Sequence, residues 1–224
     1  MTRPRILGLY AITPEIADTA SLLAMTQQAL AGGARLVQYR SKTDDAALRL
    51  EQAQSLARLC AEFDVPFIIN DYPDLALEVD ADGVHLGKGD APITEARRKL
   101  GPGKIIGISC YERLEHAVEA ERQGADYAAF GAFFASVTKP GAVSAPADLL
   151  HHAKQKLGIP IVAIGGIIPE NAGELIRQGA DAVAVNNALF NARHIRSAAE
   201  KFSLLFRSNQ HFIPHNHGLA NNVT

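Results

Sequence analysis

Two carboxylates, Asp71 and Asp90, each close a short apolar run, in Phe67-Ile68-Ile69-Asn70-Asp71 and in Gly83-Val84-His85-Leu86-Gly87-Lys88-Gly89-Asp90. Asp side chains ordinarily lie on the solvated surface. Placed directly after buried strands, they mark a site rather than a solubilising face. Strands this close in sequence are expected to lie side by side, parallel and joined by one brief helix, so both carboxylates would leave the same sheet edge. One hard cation could then sit between them. Asp71 alone would serve equally well as the cap of a helix starting near Tyr72, and it is the pairing with Asp90 that favours a metal. Mg²⁺ suits such a pair, because it takes a few carboxylates and fills its shell with water and phosphate oxygens.

Cations stand at other strand ends. Arg40 and Lys42 alternate with Tyr39 and Ser41, so in extended chain both point to one side. Arg grips phosphate oxygens with a planar fork and Lys acts as a compact charge. An ion pair of either with Asp71 or Asp90 is the structural alternative, and it is compatible with a diphosphate–metal site that uses both signs of charge. Ser136-Val137-Thr138-Lys139-Pro140-Gly141 follows another apolar run and can wrap an anion, although turn chemistry alone would also give Ser, Thr, Pro and Gly. Gly165-Gly166 would let backbone amides approach a phosphate or would simply form a turn, and Asn186-Asn187 could bind that phosphate or cap a helix.

The positioning elements follow from the hydrophobic pattern. Residues 33–40, 81–86, 124–130 and 179–185 share one plan, a glycine or small-residue turn, often Asp, and then continuous apolar residues. Continuous apolarity rather than alternation marks strands covered on both faces, as in parallel sheets. Residues 7–12, 66–69, 105–108 and 161–164 are of the same type. Helical periodicity is read at 21–31, 46–63, 74–79, 93–100, 113–123, 147–156, 171–178 and 195–206. In the second of these, Ala46, Leu50, Ala53, Ala57 and Cys60 form the apolar stripe, with Asp44 or Asp45 as N-cap. Eight strands alternating with eight helices predict a single-domain (β/α)8 TIM barrel over 1–206, with a doubly wound open sheet as the alternative. Residues 207–224, which contain His211, His215 and His217, are expected to be a disordered, solvated tail.

In a barrel, the groups at the C-terminal strand ends converge on one rim. These are Gln38, Arg40, Lys42, Asn70, Asp71, Lys88, Asp90, Ser109, Ser136, Thr138, Lys139, Gly166, Asn186 and Asn187. So polar a rim on almost wholly apolar strands predicts a polyanionic, phosphorylated small-molecule ligand. A net charge of −2 gives no footprint for nucleic acid or an anionic membrane, and 47% hydrophobic residues supply a large core. Arg3 and Arg5 before a short apolar run faintly mimic a secretory signal, but Pro14-Glu15 stands where small residues would be cleaved. With no run long enough to span a membrane, the expectation is a soluble cytoplasmic protein. Cys60 and Cys110 lack metal-ligand spacing and read as buried thiols, and His85 reads as a satisfied interior histidine.

Taken in order, Gln38-Tyr39-Arg40-Ser41-Lys42, Asn70-Asp71, His85-Leu86-Gly87-Lys88-Gly89-Asp90, Ser136-Val137-Thr138-Lys139 and Ala163-Ile164-Gly165-Gly166-Ile167 resemble the thiamine-phosphate synthase family. The resemblance runs from Gly8 to Asn187. It implies joining a hydroxymethylpyrimidine diphosphate to a thiazole phosphate with release of diphosphate, through a dissociative, carbocation-like step. It further implies that Gln38, Arg40, Lys42, Asn70 and Lys139 hold the pyrimidine diphosphate and that Asp71 and Asp90 bind Mg²⁺. Ser109 would lie near the leaving group, and Ser136, Thr138, Gly166, Asn186 and Asn187 would bind the thiazole phosphate. Arg40, Lys42, Ser109 and Lys139 would be the catalytic set. The chain departs from the family pattern at Lys88, at Cys110-Tyr111, at Ser136 and at Asn186-Asn187. A thiazole tautomerase-like relative and a non-catalytic barrel binding phosphorylated thiamine precursors are the competing readings. A homo-oligomer is compatible with either.

Overall fold

The computed structural model describes residues 6–135, 145–146 and 148–210, the side chains of 209 and 210 excepted. Its strands are β1 (Gly8–Ile12), β2 (Leu36–Tyr39), β3 (Phe67–Asn70), β4 (Gly83–Leu86), β5 (Ile105–Tyr111), β6 (Tyr127–Phe130), β7 (Ile161–Ile164) and β8 (Ala182–Val185). Between them run α1 (Thr19–Ala31), α2 (Ala46–Glu62), α3 (Pro73–Glu78), α4 (Ile93–Leu100), α5 (Leu114–Arg122), α6 (Leu149–Lys156) and α7 (Pro169–Arg177). After β8 come α8 (Asn187–Phe190) and α9 (Ile195–Gln210). Every strand pairs in parallel with the next, and β8 closes onto β1 with Leu9 opposite Val183. That closure makes the fold a (β/α)8 barrel and excludes the open sheet. Among the described residues no helix is long and apolar enough to cross a membrane.

Four local readings change. The short helix α8 has too few residues for periodicity to reveal it. Helix α9 runs to Gln210, past the expected end at Phe206, the last buried apolar residue of the described side chains; residues 211–224, with all three tail histidines, lie outside the described residues. Strand β5 continues to Tyr111, so Ser109 lies within the strand, next to a bulge against β6. In α2 the buried residues are Gln52, Ala53, Leu56 and Cys60, while Ala46 is exposed. Gln52 displaces the expected apolar positions because its amide is fully used: Oε1 accepts from Tyr39 Oη at 2.8 Å, and Nε2 donates to the Ile16 carbonyl at 2.8 Å. Asp45, not Asp44, caps α2 through Ala47 and Leu48.

Alternate residues of each strand point inward. Tyr10, Ile12, Leu36, Ile68, Ile105, Tyr127, Val162 and Ala184 pack inside the barrel, while their neighbours pack outward against the helices in two larger clusters. The period-two rule puts Gln38, Asn70, His85, Gly107 and Ser109 on the inward set as well. Interior polar groups therefore sit toward the C-terminal rim.

The opposite rim explains the repeated Asp. Asp82, Asp126 and Asp181 each accept from a backbone N–H of the preceding strand, those of Phe67, Ile106 and Ile161, all at 2.8 Å. Each repeat thus ties an even strand to the odd strand before it. Asp126 is the most buried of these pairs and also takes Arg97 of α4 at 2.5 Å, whose guanidinium spans the carbonyls of Gly101, Lys104 and Gly124. Asp126→Ala leaves the buried Ile106 N–H without its side-chain acceptor and the Arg97 guanidinium without its counter-charge, held then by backbone carbonyls alone. The expected cost is about 3 kcal/mol, or roughly 6–12 °C in thermal midpoint, read by calorimetry.

Candidate active site

Asp71 leaves β3 with φ of 67°, a left-handed conformation that Asp tolerates better than most residues. Its Oδ2 accepts from Asn70 Nδ2 at 2.7 Å. It does not cap α3: Tyr72 holds the cap position, and no side-chain cap bond is made. Asp90 Oδ2 accepts from the Gly87 amide at 2.5 Å, which folds the Gly87–Asp90 turn back over the end of β4. The two carboxyls meet there. Burial first, and then the hydrogen bond and charge of Asp90, push Asp71 up from 3.8 to about 6, while Arg40 and Asn70 pull it back. Lys88 lies exposed on the same turn.

Arg40 is near enough to favour the charged form of Asp71. Its backbone N–H donates to Thr13 Oγ1 at 3.1 Å, and the Lys42 N–H donates to Glu15 Oε1 at 2.6 Å. The loop after β1 therefore holds the cationic segment after β2 in place. Gln52 anchors that loop from below, and Arg49 lies 4.4 Å from the Tyr72 ring centroid. Thr13, Glu15 and Gln52 carried no sequence signal of this role.

Inside the barrel a hydrogen-bond chain joins two of the expected site residues. Gln38 Nε2 donates to Tyr10 Oη at 3.0 Å, and Tyr10 Oη lies 2.8 Å from Tyr127 Oη. Tyr127 Oη is 2.9 Å from His85 Nδ1, and His85 Nε2 is 2.9 Å from Ser109 Oγ. Gln38 is 4% exposed, Tyr10 1%, Tyr127 0% and His85 7%, so bulk water does not compete for these bonds. Burial lowers His85 to about 4, against a smaller opposing effect of Asp90. Two tyrosines in otherwise aliphatic strands were the available signal for this chain, and the sequence reading passed over them.

At the far side of the rim, Asn186 Nδ2 donates to the Thr13 carbonyl at 2.9 Å, clasping the ends of β8 and β1 rather than capping α8. Gly166 has φ of 63°, and a Cβ there would stand 2.6 Å from the Ala135 carbonyl oxygen. Close packing of two strand-end loops thus already requires glycine. Asn187 begins α8 at the same rim. Ser136, Thr138, Lys139 and Gly141 lie outside the described residues. Burial pushes the thiols of Cys60 and Cys110 up to about 12, which makes both inert as nucleophiles.

Gln38, Arg40, Asn70, Asp71, Asp90, Ser109, Gly166, Asn186 and Asn187 are thus all carried at or near the C-terminal ends of their strands. A profile of the thiamine monophosphate synthase family matches residues 9–189. The chain is 67% identical over 205 residues to a thiamine-phosphate synthase of Nitrosospira multiformis, covering 92% of this chain and 88% of the relative. It is 54% identical over 206 residues to that of Nitrosomonas eutropha, covering 92% and 97%. Among solved structures, thiamine phosphate pyrophosphorylase from Pyrococcus furiosus superposes with a TM-score of 0.80 at 37% identity, covering 90% of this chain and 96% of that one.

Proposed function

Because the chain belongs to the thiamine monophosphate synthase family and is a thiamine-phosphate synthase, we propose that its rim binds a pyrimidine diphosphate over Asp71 and Asp90 and a thiazole phosphate opposite. The observation that supports this placement most is the carboxylate pair beside Arg40. Two carboxyls held together, with Asp71 raised to about 6 by burial first and by Asp90 second, form a site that favours a cation. Among the described residues no cluster of three or more His, Cys, Asp or Glu side chains could hold a metal. Two acidic ligands are what Mg²⁺ accepts when water and substrate phosphate complete its shell, so the residues fit that ion. Bound there, Mg²⁺ would neutralise diphosphate charge.

The remaining work belongs to the chain. In the proposed reaction the bond between the pyrimidine methylene carbon and the diphosphate oxygen breaks, and its electron pair leaves with the diphosphate. The electron-rich aminopyrimidine carries the positive charge until the thiazole nitrogen supplies the pair for the new C–N bond. Arg40 and Lys42, held by Thr13 and Glu15, face the charge that grows on the leaving oxygens. Lys139 has the same role in this reading. Gln38 and Asn70 orient the pyrimidine diphosphate, and Ser109 stands by the leaving group. The thiazole phosphate is assigned to Ser136, Thr138, Gly166 and the backbone of Asn186 and Asn187. No protein nucleophile is required, and catalysis rests on orientation and electrostatics. The reading takes the enzyme as cytoplasmic, acting on small molecules alone.

The test is direct. Purified protein given both substrates and Mg²⁺ is expected to release thiamine phosphate and diphosphate in equal amounts, followed by chromatography and a coupled diphosphate assay. Absence of both products at saturating substrate would refute the assignment.

A further inference from the structure

We propose that Tyr10, Tyr127 and His85 form a hydrogen-bond chain of one direction, which fixes His85 as its Nε2–H tautomer and so leaves the Ser109 hydroxyl proton free for the ligand. The argument is a proton count. Gln38 presents an amide N–H to Tyr10 Oη, so Tyr10 accepts at that end. Its own proton then has one place to go, Tyr127 Oη at 2.8 Å. Tyr127 consequently accepts from Tyr10; the Gln38 amide that also reaches it acts as a donor, so the Tyr127 proton goes to His85 Nδ1 at 2.9 Å. Nδ1 is therefore the bare nitrogen. The neutral imidazole carries its single proton on Nε2 and donates it to Ser109 Oγ at 2.9 Å.

Any other direction strands a phenol proton. If Tyr127 donated to Tyr10, the Tyr10 proton would have no acceptor in a residue 1% exposed. If His85 donated from Nδ1, the Tyr127 proton would be the orphan, in a residue with 0% exposure. A buried donor without a partner is costly, so the arrangement with none is the one populated. The ring of His85 is also held in place by stacking on Tyr127, with centroids 5.6 Å apart and planes at 21°.

The consequence reaches the rim. Ser109 is the half-buried end of the chain, and with its oxygen already accepting, its O–H is available to donate outward. On the synthase reading, on which this part rests, the receiver is an oxygen of the departing diphosphate. His85, Tyr127 and Tyr10 are then positioning residues that act through Ser109, and the amide of Gln38 sets their direction from the other wall.

Two measurements test the proposal. The free protein, labelled with ¹⁵N-histidine, is examined by NMR without substrate, and the His85 signals are identified by their loss in His85→Gln. A proton on Nε2 with a bare, hydrogen-bonded Nδ1 supports the chain; a proton on Nδ1 overturns it. In kinetics, His85→Leu and Tyr127→Phe are each expected to lower kcat roughly 10–100-fold with KM for the pyrimidine diphosphate changed less than about 3-fold. His85→Gln, whose amide can place an N–H where Nε2 stands, is expected to recover to within about 5-fold of the wild-type kcat. Wild-type kcat in Tyr127→Phe, or equal losses in His85→Leu and His85→Gln, would overturn the role. Should His85→Leu fail to fold, Tyr127→Phe and the tautomer measurement still decide. The NMR result uses no substrate, so it stands apart from any failure of the synthase assignment itself.

Discussion

Asp71→Asn is expected to lower kcat by about 100-fold or more and, at the same time, to raise the thermal midpoint of the metal-free protein above pH 6. Both effects have one cause. In the folded chain the Asp71 carboxyl sits at about 6 rather than 3.8, because it is partly buried and shares its place with Asp90. The folded state therefore holds this proton more tightly than the unfolded state does. The stability this contributes is fully present below about pH 4 and is lost as pH climbs through about 6. An amide never takes up the charge, so it escapes that loss. It also keeps the size of the side chain and tolerates the φ of 67° at this position. What it loses is the negative charge that a hard cation needs. Adding Mg²⁺ at pH 8 should accordingly raise the wild-type midpoint and leave the variant where it was. The apparent Mg²⁺ affinity of the wild type should weaken as pH falls below about 6, where the proton competes. Thermal scans at pH 5 and pH 8, with and without Mg²⁺, beside kcat, check all of this. A variant that stays active and still responds to Mg²⁺ would remove Asp71 from the metal site.

Gly107→Ala is expected to cost about 3 kcal/mol or more. Across the sheet His85 of β4 stands opposite Gly107 of β5, which stands opposite Tyr127 of β6. The Tyr127 ring reaches His85 by lying over the glycine between them. A Cβ at 107 would stand 1.9 Å from Tyr127 Cζ and 2.3 Å from Oη. The ring must therefore move, and with it both hydrogen bonds that its hydroxyl makes inside the barrel. Denaturant melts of a double-mutant cycle test the attribution: in a Tyr127→Leu background, with the ring gone, the same Gly107→Ala change should cost at least 1 kcal/mol less, a threshold on the order of the coupling seen for residues in contact. Equal costs in the two backgrounds would mean that the clash lies elsewhere.

These two positions also separate what was visible in the sequence from what was not. Asp71 was legible because a carboxylate directly after Phe67-Ile68-Ile69-Asn70 breaks a local pattern. Gly107 was not, because a glycine within an apolar run carries no mark of the tyrosine that will cover it. The same holds for Asn186, whose side chain reads as a helix cap and is instead bonded to the Thr13 carbonyl, 173 positions away in the chain. Asp82, Asp126 and Asp181 were seen as a repeat, yet their function, each holding an amide of the neighbouring strand, needed the register.

The sequence by itself determined the alternation of buried strands and amphipathic helices, and hence which residues stand at strand ends. Continuous apolar runs and helical stripes are local patterns, imposed by which faces must leave water. The tertiary structure alone decided that the sheet closes, that Asp90 comes close enough to Asp71 to help raise it, after burial, and that Gln38 speaks to Ser109 through Tyr10, Tyr127 and His85. Those are relations across the barrel, between residues up to 117 positions apart. They depend on strand register and on directed hydrogen bonds in a space without water, which no local pattern encodes.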